Sequence, residues 1–154
     1  MPQIHRPSYT RAAIATRKSR ERSYGVKKAK NMRVVLVTCG SAGEAERIAR
    51  AVVKKRLAAC VNRLQAPVRS VYWWKGRVQR STEHLLLIKT QARLLRELRS
   101  EVLRLHAYEL PEFIALPIVG GAPRYLDWMA HTLRATANRD AARKRSARRH
   151  SRPG

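Results

Sequence analysis

Two adjacent tryptophans, Trp73 and Trp74, constrain the fold of this chain more than any other feature. They lie in Ser70–Gly76, a β-branched and aromatic segment that ends in a Lys-Gly turn and therefore predicts a strand. Successive side chains of a strand point to opposite faces of its sheet. We therefore expect one indole to enter the domain's own core and the other to lie on the far face.

Two further segments, Val34–Thr38 and Leu85–Ile88, are apolar without alternation. Strands of this kind are covered on both faces. The chain has helices enough to cover one face, and another copy of the same chain is the simplest cover for the other. The sequence therefore favours an oligomer, because an apolar face left in water promotes aggregation.

The net charge of +24 is unevenly distributed along the 154 residues. Residues 1–32 hold nine Lys or Arg against Glu21, and residues 134–154 hold eight against Asp140. Nearly all large apolar residues lie between these segments, so only the middle can offset the entropy cost of folding. We predict a folded domain over 33–134, flanked by basic, disordered segments over 1–32 and 135–154.

The cysteines and the N-terminus bear on the compartment. Cys39 and Cys60 each lie in an apolar, strand-like run, which suits free thiols in the reducing cytoplasm better than a disulfide framework. No apolar run approaches the length of a membrane span. Residues 1–31 are rich in Arg and Ser and poor in acid, as in organellar transit peptides. A protein that starts at Met32 is the alternative.

The order of predicted elements defines a fold class. Strands are predicted over 33–39, over 58–64 with 68–74 (one long strand interrupted near Pro67), over 77–89 and over 113–119. They alternate with a helix capped by Ser41, a helix capped by Thr90 and a short terminal helix. The order β-α-β-β-α-β predicts an α+β, ferredoxin-like split βαβ sandwich. Right-handed crossovers place both main helices on one face of the sheet and leave the other face bare.

Six motifs follow one another along the middle of the chain: Leu57–Asn62, Ser70–Gly76, Glu83 with Ile88–Thr90, His106–Glu112, Leu116–Ile118 and Tyr125–Trp128. In this order and spacing they resemble the CutA divalent-cation tolerance proteins. The resemblance covers about residues 33–133 and implies a ferredoxin-like homotrimer with face-to-face sheets, copper binding and a role in metal tolerance. Cys39 lies two residues beyond Val37, the position that matches a cysteine of some bacterial members.

Cys39, His106 and Glu112 are the candidate metal ligands. Cu²⁺ prefers imidazole and carboxylate, and Cu⁺ prefers thiolate. His106 and Glu112 flank the turn between the second helix and the fourth strand, where neighbouring strand ends could meet Cys39. The alternative is structural: His106 caps a helix C-terminus, where cations are favourable, and Cys39 packs as a small hydrophobe.

A second group of residues could line a cleft between subunits. The functional interpretation is a pocket for a small anionic or metal-chelate ligand, and the structural one is an ion-pair network that holds subunits in register. Lys89 ends an apolar strand and would need a carboxylate partner if buried. Trp128 is most simply an anchor of the terminal helix. The group is Tyr72, Trp74, Glu83, Lys89, Tyr108, Glu109 and Trp128.

The sequence favours a non-enzymatic, trimeric protein that binds copper or another divalent metal and serves metal tolerance or signalling. No nucleophilic triad, P-loop or dinucleotide fingerprint is present. The alternative is a nucleic-acid-associated scaffold, because Arg17–Arg20 and Arg143–His150 would attract phosphate backbones through counterion release. These segments have almost no aromatic residues for base stacking, so non-specific polyanion binding is the expectation.

Overall fold

The computed structural model describes residues 25–133. The remaining parts of the two predicted basic segments lie outside these described residues. The elements, in chain order, are β1 (Lys27–Lys28), β2 (Met32–Cys39), α1 (Ala42–Lys54), β3 (Cys60–Arg63), β4 (Val68–Trp74), β5 (Arg77–Gln91), a 3₁₀ turn (Ala92–Leu94), α2 (Leu95–Leu105), β6 (Ile114–Pro117), β7 (Gly120–Gly121) and α3 (123–133).

The main sheet has the order β3-β5-β2-β6 with antiparallel neighbours. Val35 lies opposite Ile88 in the β2–β5 ladder and opposite Ala115 in the β2–β6 ladder. This order and the α1 and α2 crossovers confirm the predicted ferredoxin-like α+β fold.

Both main helices bury their apolar stripes against one face of this sheet. Ile48 and Val52 of α1 recur at helical spacing, as do Leu98 and Val102 of α2, and all four are fully buried. Alternate residues of β2 and β5 point toward them. This core contains Val35, Val37, Cys39, Leu86 and Ile88 from the sheet.

The start of α1 agrees with its predicted cap, and the start of α2 does not. Ser41 Oγ accepts a hydrogen bond from the backbone nitrogen of Glu44 at 3.2 Å. Thr90, predicted as the cap of α2, is buried in β5 and donates instead to the carbonyl oxygen of Leu57 at 2.7 Å. A hydroxyl buried this deeply must find a partner in the core, which takes it from the helix end.

The folded part begins earlier than the predicted boundary at residue 33. Lys27 and Lys28 form a two-stranded ladder with Gly121 and Gly120, and the amide of Ala29 donates to Val119. A second core holds this segment against α3, because the α3 helix presents an apolar stripe to it. The members of this core include Ala29, Met32, Ala59, Leu94, Leu126, Met129 and Leu133.

The β4–β5 hairpin corrects the expectation that one indole enters the protomer's own core. β2 pairs with His84–Gln91 of β5, whereas β4 pairs with the earlier half of β5, from Arg77 to Glu83. The hairpin therefore extends beyond the part of the sheet that the helices cover. Trp73 is 70% exposed and Trp74 is 38% exposed in the single chain.

Candidate functional site

A cleft of about 670 Å³ lies between the β4–β5 hairpin and the loop that follows α2. Aromatic side chains dominate one wall, with Tyr72, Trp73 and Trp74 contributed by β4. Tyr108, from the loop after α2, adds a fourth ring. The cleft forms here because the hairpin leaves the sheet just where the α2–β6 loop returns to it.

Three carboxylates share this cleft: Glu83 from β5, and Glu109 and Glu112 from the loop. Glu83 is buried, and its negative charge lies close to the hydroxyl of Tyr108. Burial of the phenol, followed by the nearby negative charge of Glu83, raises the pKa of Tyr108 to about 12. The phenol therefore stays a hydrogen-bond donor throughout the physiological range.

A buried hydrogen-bond network supports the loop wall of the cleft. Glu44, the third residue of α1, accepts from the backbone nitrogen of Ala107 at 2.6 Å and from that of Gly40 at 3.2 Å. Its carboxylate thus joins the start of α1 to the loop after α2. Gly40 lets the ring of Tyr108 approach the backbone closely, since an added Cβ would lie 2.9 Å from the Tyr108 hydroxyl and would displace that side chain.

His106 is the second member of this network, and its side chain is fully buried. Its Nε2 lies 2.8 Å from the carbonyl oxygen of Thr38, and its Nδ1 lies 3.1 Å from the backbone nitrogen of Tyr108. The carbonyl only accepts, so Nε2 carries a proton, and Nδ1 also lies 3.2 Å from Oε1 of Glu44. Both ring nitrogens are then engaged within the protein.

Cys39 is also fully buried, in the core between the sheet and the helices. Burial, reinforced by the negative charges of Glu44 and Glu83, raises the pKa of its thiol to about 12. Metal binding needs the thiolate. The thiol of Cys39 is therefore a packing group in this arrangement.

The three candidate ligands do not assemble into a metal centre within one chain. Glu112 lines the cleft, whereas Cys39 lies in the core and the ring of His106 is saturated with hydrogen bonds. Among residues 25–133, no group of three or more His, Cys, Asp or Glu is placed to hold a metal ion. These residues, as arranged in one protomer, do not fit a copper ion.

The predicted cleft residues fall into two sets. Tyr72, Trp74, Glu83, Tyr108 and Glu109 line the cleft together. Lys89 and Trp128, in contrast, are not among the residues that line the cleft. Lys89 lies half-buried opposite Cys60 in the β3–β5 ladder, and Trp128 stacks on Tyr125 of α3 with ring centroids 5.3 Å apart.

Sequence reasoning missed the contributions of Thr38 and Glu44. Thr38 follows an apolar run and gave no signal of its own, yet it lines the cleft and its carbonyl accepts from His106. Glu44 occupies the fourth position of the predicted capping box, which assigns its carboxylate to a local backbone amide. Its contact with Ala107, 63 residues away, is visible only in the fold.

Comparison with known proteins identifies the family. A family model described as CutA1 divalent ion tolerance protein matches residues 33–132, which is most of the folded part. The chain belongs to the CutA1 family. This confirms the resemblance that the ordered motifs indicated.

CutA relatives from distant organisms align over the same region. Protein CutA 1, chloroplastic, from Oryza sativa is 45% identical over 101 residues, which is 66% of this chain and 56% of the relative. The divalent-cation tolerance protein CutA of Archaeoglobus fulgidus is 39% identical over 99 residues, or 64% of this chain and 95% of the relative. The chain thus spans little more than half the length of the plant and animal relatives that it matches.

Solved CutA structures share the fold. The structure titled as the periplasmic divalent cation tolerance protein CutA from Archaeoglobus fulgidus superimposes with a TM-score of 0.64 at 38% identity, covering 66% of this chain and 98% of that one. The protein from Thermus thermophilus gives a TM-score of 0.62 at 45% identity, covering 64% and 94%. Within residues 25–133, no helix has the length and apolar character needed to cross a membrane.

Proposed function

We propose that this protein is a non-enzymatic homotrimer that acts in divalent-cation tolerance, as its family membership implies. The apolar sheet face opposite the helices is the observation that carries the assembly. Val34 and Leu36 of β2 lie on this face beside Leu116 and Ile114 of β6, their partners in the ladder. Ile114 and Leu116 are 48% and 46% exposed in the single chain.

The β4–β5 hairpin also carries exposed apolar side chains that need to be covered. Val71, Trp73 and Val78 share one face of the hairpin and are 65%, 70% and 59% exposed. The buried hydroxyl of Ser81 has no hydrogen-bond partner among the described residues. Exposed apolar side chains on one face of the hairpin, and an unpaired polar atom on its other face, are typical of a protein interface seen without its partner. The proposed trimer covers this surface with the sheets of the neighbouring chains.

The metal that the protein handles in the cell is cargo in this proposal. Copper was predicted from the family resemblance, with ligands chosen by their chemistry, but Cys39 and His106 serve packing and hydrogen bonding in the protomer. Of the three candidates, Glu112 alone faces the cleft. A copper site on this protein would therefore have to draw on ligands outside the predicted set of three, for example from a neighbouring chain.

The free thiols bear on the compartment in which the protein acts. Cys39 and Cys60 are both free, which supports the reducing cytoplasm. The names of relatives point to other compartments, since that of rice is called chloroplastic and a structure of the archaeal one is titled periplasmic. The predicted transit-peptide character of residues 1–31 lies almost wholly outside the described residues.

Light scattering on the full chain tests the assembly. We expect a mass of three chains at micromolar concentration. The double variant Ile114→Lys, Leu116→Lys places two charges on the open face and should lower the mass. Leu103→Lys, an equally exposed position on the outer side of α2, is the matched control and should remain trimeric. Unchanged far-UV circular dichroism would show that each variant folds. A wild-type protein that stays a single chain would contradict the proposal.

Growth of the native host tests the function. Deletion of the gene should sensitise cells to divalent metal salts, and the wild-type protein should restore growth. The Ile114→Lys, Leu116→Lys variant should fail to restore it, whereas Leu103→Lys should succeed. A deletion strain with normal growth over the whole range of copper, zinc and cadmium concentrations would overturn the tolerance role.

A further inference from the structure

We propose that the outer surface of the helix layer binds the phosphate backbone of a nucleic-acid duplex. Five exposed cations, which form the basic helix face, carry this inference: Arg47, Lys54, Arg56, Arg96 and Arg99. They belong to α1, to the residues that follow it and to α2. The proposed trimer covers the opposite face of the sheet and the hairpin, so the basic helix face stays open to a partner in the assembly.

The helix layer is strongly basic on its outer side. Within residues 42–56 and 92–105, every Lys and Arg is exposed, whereas Glu97 is the one exposed acid. Glu44 and Glu101 are buried, and Glu46 is half-buried and binds Arg50. A surface of this kind has a positive potential that attracts polyanions. The exposed cations of these two ranges are Arg47, Arg50, Lys54, Lys55, Arg56, Arg93, Arg96, Arg99 and Arg104.

The basic helix face is not neutralised by its surroundings. Lys55 and Arg104 bind Glu101, and Arg50 binds Glu46. The side chains of the basic helix face, in contrast, take part in none of the ion pairs or hydrogen bonds found within residues 25–133. They can therefore bind phosphate without first breaking an existing pair, and an anion would relieve the repulsion between them.

The basic surface continues around the end of the domain at which α2 begins. A groove of about 650 Å³ lies there, lined in part by Lys27, Lys28, Lys30 and Arg93. Asp127 is the acid of this lining, and it already binds Lys27 at 2.7 Å. Lys28 and Lys30 are exposed and form no ion pair within the described part of the chain. The groove thus adds further cations beside the helix layer.

The end of α1 and both ends of the described chain meet this groove. Leu57, next to Arg56, accepts a hydrogen bond from Thr90, which precedes the groove residue Gln91. The carbonyl oxygen of Leu133 accepts from Arg93 at 2.8 Å, and the description starts two residues before Lys27. The two basic flanking segments therefore join the domain beside the same groove, which concentrates positive charge at one end.

The chemistry of the basic helix face favours a duplex backbone over other polyanions. Neither α1 nor α2 contains an aromatic residue, so this face offers no platform for stacking the bases of a single strand. The apolar stripes of both helices are buried in the core, so they are not available to enter a lipid surface. With its 13 residues, α1 is about 20 Å long, a length over which a duplex presents about twelve phosphate charges.

Fluorescence anisotropy of a labelled DNA duplex of about 20 base pairs, titrated with the full-length protein, tests the proposal. Between about 50 and 200 mM salt, the logarithm of the binding constant should fall with the logarithm of the salt concentration with a slope of about −4 or steeper. Duplexes of unrelated sequence, and an RNA duplex, should bind with similar affinity, because phosphates and not bases are contacted. A single strand of the same length should bind more weakly.

Charge removal distinguishes the basic helix face from the general charge of the protein. The helix-face variant Lys54→Gln, Arg96→Gln, Arg99→Gln should bind the duplex at least about tenfold more weakly, and the magnitude of its salt slope should fall by about 3. A control variant that loses three exposed cations of the hairpin and α3 should bind like the wild type. This control is Lys75→Gln, Arg77→Gln, Arg124→Gln.

Far-UV circular dichroism and light scattering should show that both variants fold and assemble like the wild type. Equal loss of affinity in the two variants would mean that binding follows net charge or the flanking segments, and would overturn the proposal. A helix-face variant that binds like the wild type, or a wild type that does not bind the duplex, would do the same. Tighter binding to phosphatidylserine vesicles than to the duplex would assign the surface to a membrane and would equally overturn it.

Discussion

The Nε2 atom of His106 donates a hydrogen bond to the carbonyl oxygen of Thr38 across 2.8 Å, although the two residues are 68 positions apart in the chain. The bond joins the C-terminal end of α2 to the C-terminal end of strand β2. Beside it, Glu44 binds the amides of Gly40 and Ala107. The loop that carries Tyr108 and Glu109 into the cleft is therefore held by buried side chains on both sides.

Replacement of His106 by alanine should lower the free energy of unfolding by about 2–3 kcal/mol. The change leaves the carbonyl of Thr38 and the amide of Tyr108 without their hydrogen-bond partner. Each buried polar group left without a partner lowers the free energy of unfolding by about 1–3 kcal/mol. Urea or guanidinium unfolding at fixed protein concentration measures the change. His131→Ala removes an exposed histidine from α3 and should change stability by no more than about 0.5 kcal/mol.

The same variant tests the role of His106 in metal binding. Because both ring nitrogens are engaged inside the protein, uptake of Cu²⁺ per folded chain should be the same in His106→Ala as in the wild type. Calorimetric titration of both proteins measures it. Loss of a saturable site in the folded variant would show that the imidazole leaves its hydrogen bonds to bind metal, contrary to this prediction.

Protonation of Glu101 should lower the stability of the protein in acid. Its hydrogen bond from Arg104, followed by that from Lys55, lowers the pKa of this carboxyl from 4.5 to about 2 despite its burial. A depressed pKa in the folded state gives stability that is present above pH 4.5 and is lost as the pH falls toward 2. Denaturant unfolding between pH 2 and pH 6 should show this decline.

The variant Glu101→Gln isolates that contribution. At neutral pH the variant should lower the free energy of unfolding by about 1 kcal/mol. The loss is small for charged hydrogen bonds because Lys55 and Arg104 are both more than half exposed and can bind water instead. The wild type and the variant should converge as the pH falls to about 2. Glu97→Gln, an exposed change in the same helix, should leave the pH profile as it is. A constant gap between Glu101→Gln and wild type at every pH would contradict the assignment.

The two thiols should differ in reactivity. With its pKa raised to about 12 by burial, Cys39 has a thiolate fraction of about one in ten thousand at pH 8, and it is also shielded from reagents. Cys60 is half-buried beside Tyr125 and should react with Ellman's reagent in the native protein. Native Cys60→Ser should therefore be inert and release one thiol per chain on unfolding, whereas Cys39→Ala should react like the wild type. Rapid reaction of native Cys60→Ser would contradict the burial of Cys39.

Much of the fold was predictable because its signals are local. The apolar runs of β2 and β5, the helical spacing of Ile48 and Val52, and the cap at Ser41 each depend on near neighbours in the chain. The hairpin was predicted as a strand pair for the same reason. Its position relative to the helices was not, because that depends on how far β5 runs past its pairing with β2.

The candidate site was less predictable, since its chemistry depends on distant partners. Sequence reasoning grouped Tyr72, Trp74, Glu83, Tyr108 and Glu109, and the structure places these five along one cleft. Their part in binding stays a prediction. It assigned His106 and Cys39 to metal because residue type alone does not show whether a nitrogen or a thiol is already engaged. Thr90 was misassigned in the same way, since its partner Leu57 is 33 residues away.

Two glycines should respond oppositely to alanine. In Gly120→Ala the new Cβ would lie 2.8 Å from Cγ1 of Val26 and 3.1 Å from the carbonyl oxygen of Lys27, so β1 must move away. The backbone amide of Ala29, which donates to Val119 next to this ladder, should then exchange with deuterium at least about tenfold faster, since a strand pushed away from its partner opens more often.

Gly43→Ala meets no atom within 4 Å and lies in the first turn of α1, where alanine is favoured by about 0.5–1 kcal/mol. It should raise the free energy of unfolding and leave exchange at Ala29 unchanged or slower. Equal exchange at Ala29 in Gly120→Ala and wild type would mean that β1 does not depend on close approach to Gly120.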